Sequence, residues 1–206
     1  LTGNPVREEM IKIEGKKTDA AAFFGLKTDI PTLLVVGGSQ GARSINHAIA
    51  GSLDAIHKAG VQLIWQCGKP FHEQAQKAVA ALGSDRIKVY DFITRMDYAY
   101  AMADVILSRA GASTVSELCI IGKPAILVPL PTAAEDHQTK NCQALVEKNA
   151  AILIKDQEAM TSLVPEALRL LNSTEERQTL SNNISKLALR DSAKVIAEQV
   201  LGLIKN

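Results

Sequence analysis

The chain has 206 residues, of which 47% are hydrophobic and 22% charged, an ordinary globular composition with length for one large domain or two small ones. A formal net charge of +1 supplies no global pull toward nucleic acid, and no apolar run reaches the ~18 residues of a membrane span. Three widely spaced cysteines, Cys67, Cys119 and Cys142, imply free thiols in a reducing compartment, not a disulfide framework or a zinc site.

In chain order, the start "LTGNPVREEM" carries neither a signal-peptide pattern nor an initiator Met, so the chain is expected to begin within a longer protein. "TLLVV" (32–36) reads as a strand buried on both faces, and 42–59 as a helix. "VQLIWQC" (61–67) is the second strand, 71–82 a helix, "IKVYDF" (87–92) the third strand and 96–103 a short helix. "DVILS" (104–108) is the fourth strand, followed by "RAGAS" and a helix near 114–121 that Gly122 and Pro124 end. "AILVPL" (125–130) is the fifth strand, a polar loop reaches about 137, a helix covers roughly 138–148, and "AAILI" (150–154) is the sixth strand. Residues 159–205 read as two or three amphipathic helices.

Strands alternating with helices predict one α/β domain, a doubly wound six-stranded parallel sheet of Rossmann type. In the order 3-2-1-4-5-6 a ligand sits where strand order reverses, between strands 1 and 4. The loops after those strands are "GGSQGA" (37–42) and "RAGAST" (109–114), both glycine-bearing.

"GGSQGA" is not the dinucleotide fingerprint, because Val36 stands where G-x-G-x-x-G needs glycine, and the chain has no G-x-x-x-x-G-K-[ST]. A turn that aims backbone N–H groups at an anion and a turn that only lets a helix pack close to its strand both fit it. In "RAGASTVSEL", Thr114 and Glu117 match the capping box T-x-x-E, in which Glu117 folds back on its own helix start. The other reading gives the Glu117 carboxylate a vicinal diol such as a ribose, with the N–H groups of 115–117 free to face phosphate. After strand 5, His137, Gln138 and Asn141 lie three or four apart at a helix start, amide and imidazole groups suited to sugar hydroxyls or simply to a polar helix end.

"GNPVR" (3–7), "GGSQGA" (37–42), "RAGASTVSE" (109–117) and "EDHQTKN" (135–141), in this order and spacing, resemble the MurG family, bacterial UDP-N-acetylglucosamine transferases of peptidoglycan synthesis that convert lipid I to lipid II. The resemblance runs from residue 2 to about 200 and concerns only the carboxyl-terminal, donor-binding half of a two-domain GT-B enzyme. It implies that residues 1–206 are one UDP-N-acetylglucosamine-binding domain, opened by a linker motif at 1–8 and closed by a helix near 191–204 that crosses to the other half.

By that resemblance Arg7 lies near the donor, Gly38, Ser39 and Gly41 approach the nucleotide, and the backbone of Ile93 reads the uracil edge. Ala112, Ser113, Thr114, Val115, Ser116 and Glu117 wrap uridine and phosphates, with Glu117 on the ribose diol. Gln138 and Asn141 bond the sugar hydroxyls with His137 beside them, and Cys142 departs from the alanine common in relatives. No D-x-D motif is present, so no metal or other cofactor is expected, and the general base is expected in the other half. The implied partners are UDP-N-acetylglucosamine, lipid I through the full-length enzyme, and the cytoplasmic face of the bacterial membrane, touched mainly by the other half; no nucleic acid is expected. His47, His57 and His72 read as surface or packing residues. A GT-B-fold UDP-sugar 2-epimerase and a nucleotide-sensing module are the alternatives.

Overall fold

The computed structural model describes residues 2–204. Two helices, α1 (Glu8–Ile11) and α2 (Lys17–Phe24), precede the first strand, where the sequence reading assigned none. The end of α2 is a Schellman stop: Gly25 sits at φ 62°, and the N–H groups of Gly25 and Leu26 donate to Ala22 and Ala21 at 3.3 and 2.9 Å. Ala20, Ala21 and Phe24 form its buried face.

Six strands follow: β1 (Thr32–Val36), β2 (Gln62–Gln66), β3 (Ile87–Tyr90), β4 (Val105–Ser108), β5 (Ala125–Leu127) and β6 (Ile152–Leu153). All neighbours are parallel, in the expected order β3-β2-β1-β4-β5-β6. The last two strands are shorter than expected. Val128 still donates to Ser108 at 2.9 Å, but Pro129 and Pro131 have no N–H to continue the ladder and the chain turns away.

The remaining helices are α3 (Arg43–Gly51), α4 (Leu53–Lys58), α5 (His72–Leu82), α6 (Met96–Met102), α7 (Ala112–Ile121), α8 (His137–Val146), α9 (Ala159–Asn172), α10 (Thr174–Ser185) and α11 (Ser192–Ile204). The single helix expected over 42–59 is broken at Ser52, directly after Gly51, a weak helix former. One core holds Ile45, Ile49 and Leu163 against Leu33, Leu63 and Trp65, so α3 and α9 cover that face. The other holds Phe24, Met102, Leu118 and Leu145 against Leu34, Ile64 and Ile106, so α2, α6, α7 and α8 cover the second face. Alternate strand residues thus point into opposite cores, which is why the inner strands β1, β4 and β5 read as apolar runs, while the edge strands β3 and β6 are only half-buried. Val200, Leu201 and Leu203 of α11 are exposed. No described helix is long and apolar enough to cross a membrane.

Candidate functional site

Val36 pairs with Ser108, so the loops after β1 and β4 leave the sheet side by side at its carboxyl edge. In the first loop the glycines have different reasons. Gly41 has φ 76°, and a Cβ there would run into the Cys67 carbonyl. Gly68 packs in turn on the Gly41 backbone. Gly38 has φ 77° but open space around it. Packing therefore demands Gly41, while Gly38 answers to its left-handed backbone alone. Buried Asn46 locks the arrangement, donating to the Cys67 carbonyl at 2.7 Å and accepting from Trp65 Nε1 at 3.1 Å. Ser39 is exposed at the turn's tip, and its carbonyl accepts from the Lys69 N–H at 3.2 Å. Because Asn46 N–H donates to Ala42, the N–H groups of residues 43–45 are the free donors at the start of α3.

The second loop corrects the capping-box reading. The N-cap is Gly111, not Thr114, and no side chain caps it. Glycine is an acceptable N-cap without contributing a side-chain signal, so the chain enters the helix two residues early. Thr114 and Glu117 then lie inside α7, and Val115 N–H already donates to Gly111 at 2.9 Å. The free donors are those of Ala112, Ser113 and Thr114, not 115–117. Glu117 does not fold back on its helix: its Oε2 accepts from Tyr100 Oη at 2.7 Å. Tyr100 is buried, and burial first, then the Glu117 charge, hold its hydroxyl well above the usual tyrosine range, so it stays a donor. Ser116 Oγ is engaged, donating to Ala112 O and accepting from Asn4 Nδ2, both at 3.0 Å. Val115 packs against the core.

Before α8, Glu135 and Asp136 sit at φ 51° and 54°, a left-handed pair of non-glycine residues that stores backbone strain beside this edge. His137 Nδ1 lies 2.7 Å from the Ala134 carbonyl, which can only accept, so Nδ1 carries the proton and Nε2 faces outward as an acceptor when the ring is neutral. Gln138 Oε1 accepts from Leu130 N–H at 3.0 Å, leaving its NH2 group available. Asn141 Nδ2 donates to the Ala110 carbonyl at 3.1 Å, leaving Oδ1 available and tying α8 to the loop before α7. Cys142 is fully buried and its thiol is pushed up to about 12 by burial, so it belongs to the core and not to this polar face.

Ile93 N–H is already committed: it donates to Gln66 Oε1 at 2.9 Å. Arg7 and Ile93 line one cavity of about 460 Å³ together with Lys12, Lys16, Phe92 and Arg95. Its floor is fixed by buried Asp97, which accepts from Arg95 at 2.9 and 2.8 Å and from Lys16 at 2.8 Å. The Arg95 guanidinium beside Asp97 holds that carboxyl well below the usual carboxylate range.

Sequence reasoning missed a second feature. Arg109 Nη1 donates to the Val128 and Pro129 carbonyls at 3.1 and 3.2 Å and pairs with Asp156, while Nη2 donates to Ser44 at 3.0 Å. Ser44 also bonds Asp156. Arg109 is therefore a strut joining β4, β5, α3 and the turn after β6, not a free cation. A cavity of about 1010 Å³ adjoins it and is lined by Gly41, Ser44, His47, Arg109, Pro131 and Asp156. Ser44 and Asp156 lie 65 and 47 residues from Arg109, beyond any local spacing signal. His47 packs edge-on against Phe71 and His57 bonds Ser84, which fits their reading as packing or surface residues.

Two helix starts, a glycine turn and a carboxylate held by a buried tyrosine thus stand at the carboxyl edge of the sheet, around the switch point. The sequence profile of the glycosyltransferase family 28 C-terminal domain matches residues 32–200. The chain belongs to this glycosyltransferase family. It is 50% identical over 204 residues, 99% of this chain, to a Parabacteroides distasonis UDP-N-acetylglucosamine--N-acetylmuramyl-(pentapeptide) pyrophosphoryl-undecaprenol N-acetylglucosamine transferase. It covers 55% of that relative, so this family 28 chain spans about half the length of the curated relatives it matches. Its fold superposes on the crystal structure of Acinetobacter baumannii MurG with a TM-score of 0.78 at 25% identity, covering 97% of this chain and 57% of that one. A putative UDP-N-acetylglucosamine 2-epimerase from Listeria monocytogenes shares the fold at TM-score 0.63 and 13% identity, covering 99% of this chain and 53% of that one.

Proposed function

We propose that this family 28 domain is the donor-binding half of an enzyme that moves N-acetylglucosamine from UDP-N-acetylglucosamine to lipid I, forming lipid II. The observation that carries the reading is the pairing of the glycine turn with the start of α7 at the switch point, in a chain half identical to a transferase of that name. The epimerase shares the fold, but at 13% identity that likeness reaches no further.

On this reading the Ile93 carbonyl meets the uracil edge near Arg7, and Glu117 takes the ribose diol with its orientation set by Tyr100. The diphosphate lies against the N–H groups of residues 112–114 and the turn carrying Gly38, Ser39 and Gly41. Gln138 and Asn141 offer an NH2 group and an oxygen to the sugar hydroxyls, with His137 beside them. The acceptor hydroxyl attacks the anomeric carbon, the bond to the β-phosphate oxygen breaks, and the hydroxyl proton passes to a base on the other half. The transition state is oxocarbenium-like, and negative charge grows on the departing UDP. Preorganised N–H groups at helix starts stabilise that charge in the place a metal would otherwise take. The exposed apolar residues of α11 face the other half, which also makes the main membrane contact.

The test uses the full-length protein and measures UDP release. Release that depends on added lipid I is expected. Conversion of UDP-N-acetylglucosamine to its 2-epimer without any acceptor would establish the epimerase reading instead, and a catalytically silent protein that binds UDP would establish the sensing module.

A further inference from the structure

At the amino-terminal edge of the sheet, opposite the glycine turns, charged side chains from four separate segments converge. Lys17 comes from α2, Asp104 stands just before β4, Lys123 follows the glycine that ends α7, and Arg177 projects from α10. Asp104 is the one acid in this group. Its Oδ2 accepts from the Thr32 N–H at 2.8 Å, so it is committed to the start of β1. Its Oδ1 lies 3.8 Å from both Lys17 Nζ and Arg177 Nη1, beyond hydrogen-bond reach of either.

Three cations thus share one carboxylate that bonds none of them, leaving two positive charges in surplus. Lys123 donates to the Ala103 carbonyl at 2.8 Å from a half-buried position. Burial lowers its pKa, Lys17 and Arg177 lower it further, and Asp104 opposes them. Arg177 Nη2 donates to Thr174 Oγ1 at 3.2 Å, while its Nε is buried without a hydrogen-bond partner among the described residues. A buried donor left unpaired is costly, and a guanidinium edge without its acceptor has the shape that fits an oxyanion. A cavity of about 170 Å³ opens at this point, lined by Asp104, Lys123, Thr174, Arg177, Gln178 and Ser181.

We propose that this cavity is a second anion site, built for a phosphate group and separate from the nucleotide edge. A phosphate in it lies against the Lys123 ammonium and the Arg177 guanidinium, with Lys17 on the far side of Asp104 adding a third positive charge against that one carboxylate, and meets hydroxyl and amide donors on the adjoining turn of α10. Capping of the Ala103 carbonyl explains Lys123 alone; it explains neither the Arg177 Nε nor the third cation. The phosphate can arrive free, as a small phosphate ester, or on a lipid headgroup.

The experiment titrates inorganic phosphate into the chain at constant ionic strength and follows backbone amide resonances, so that a local response is separated from binding at the nucleotide edge. Saturable shifts centred on residues 104, 123 and 174–178 are expected. They should need about tenfold more phosphate in Arg177→Gln, the scale set by one charge-assisted hydrogen bond. Lys17→Gln, a change on a more exposed side chain that leaves the core intact, should weaken binding by a smaller factor. A parallel arm measures sedimentation with phosphatidylglycerol vesicles against neutral vesicles. Binding to the anionic vesicles that Arg177→Gln abolishes assigns the phosphate to a lipid headgroup, and a response to inorganic phosphate alone assigns it to a soluble ligand. Absence of local shifts together with variant-insensitive vesicle binding overturns the proposal, as does equal phosphate binding by the wild-type chain and both variants.

Discussion

Glu117 shows how a residue's meaning changes with one neighbour. Thr114 and Glu117 have the spacing of a capping box, yet the helix starts at Gly111 and the carboxylate turns to Tyr100 instead. A carboxylate has about four lone-pair sites, so one bond to Tyr100 leaves the rest for a diol while fixing the rotamer. Tyr100→Phe should therefore weaken UDP binding about three- to tenfold in a calorimetric titration, the scale of one ordinary hydrogen bond, because the bond acts on the ligand only by orienting Glu117. Unchanged affinity would remove Tyr100 from the site. Asp97 makes a different prediction, about stability. Its folded-state pKa is depressed, mainly by Arg95, so its contribution is present above the ordinary Asp value of ~3.9 and is lost as pH falls below it. Asp97→Asn should cost about 2 kcal/mol at neutral pH, and in denaturation the gap between variant and wild type should narrow progressively as the pH drops from about 4 to 2. A constant gap across that range would contradict the assignment.

Among the elements, the six strands and their order were legible because the inner strands are buried on both faces and read as apolar runs, while the half-buried edge strands β3 and β6 still carry apolar residues between helical patterns. The starts of helices were less so. Glycine at an N-cap gives no side-chain signal, so the T-x-x-E pattern inside α7 displaced the predicted start by two residues. α2 went unread although Gly25 marks its end, because its inward face is built from alanines and one phenylalanine. The Arg109–Ser44–Asp156 strut and the Gln66 bond to Ile93 were invisible for another reason: their partners lie far apart in sequence and meet only through strand order. The glycine turn separates conformation from packing. Gly38→Ala meets open space and should cost about 1 kcal/mol, the penalty of a left-handed alanine. Gly41→Ala adds a collision with the Cys67 carbonyl and should cost more than twice as much in chemical denaturation, since backbone cannot swing aside. Equal costs would contradict the close approach of the two loops.

For the whole molecule, the chain belongs to a glycosyltransferase family and spans about half the length of the relatives it matches; on the proposed reading it offers one wall of a cleft. On that reading one wall suffices to bind a nucleotide through the switch-point edge, but not to align an acceptor hydroxyl and its base. The chain alone should therefore bind donor and turn it over poorly. The most direct measurement is a calorimetric titration of UDP into the chain in buffer with a chelator, repeated with Glu117→Ala and Ser39→Ala. The account predicts one binding site without added metal, weakened at least about tenfold by Glu117→Ala, which deletes the charged diol acceptor, and to a lesser degree by Ser39→Ala. A folded chain that gives no heat with UDP, or one that binds UDP equally well without the Glu117 carboxylate, would contradict it.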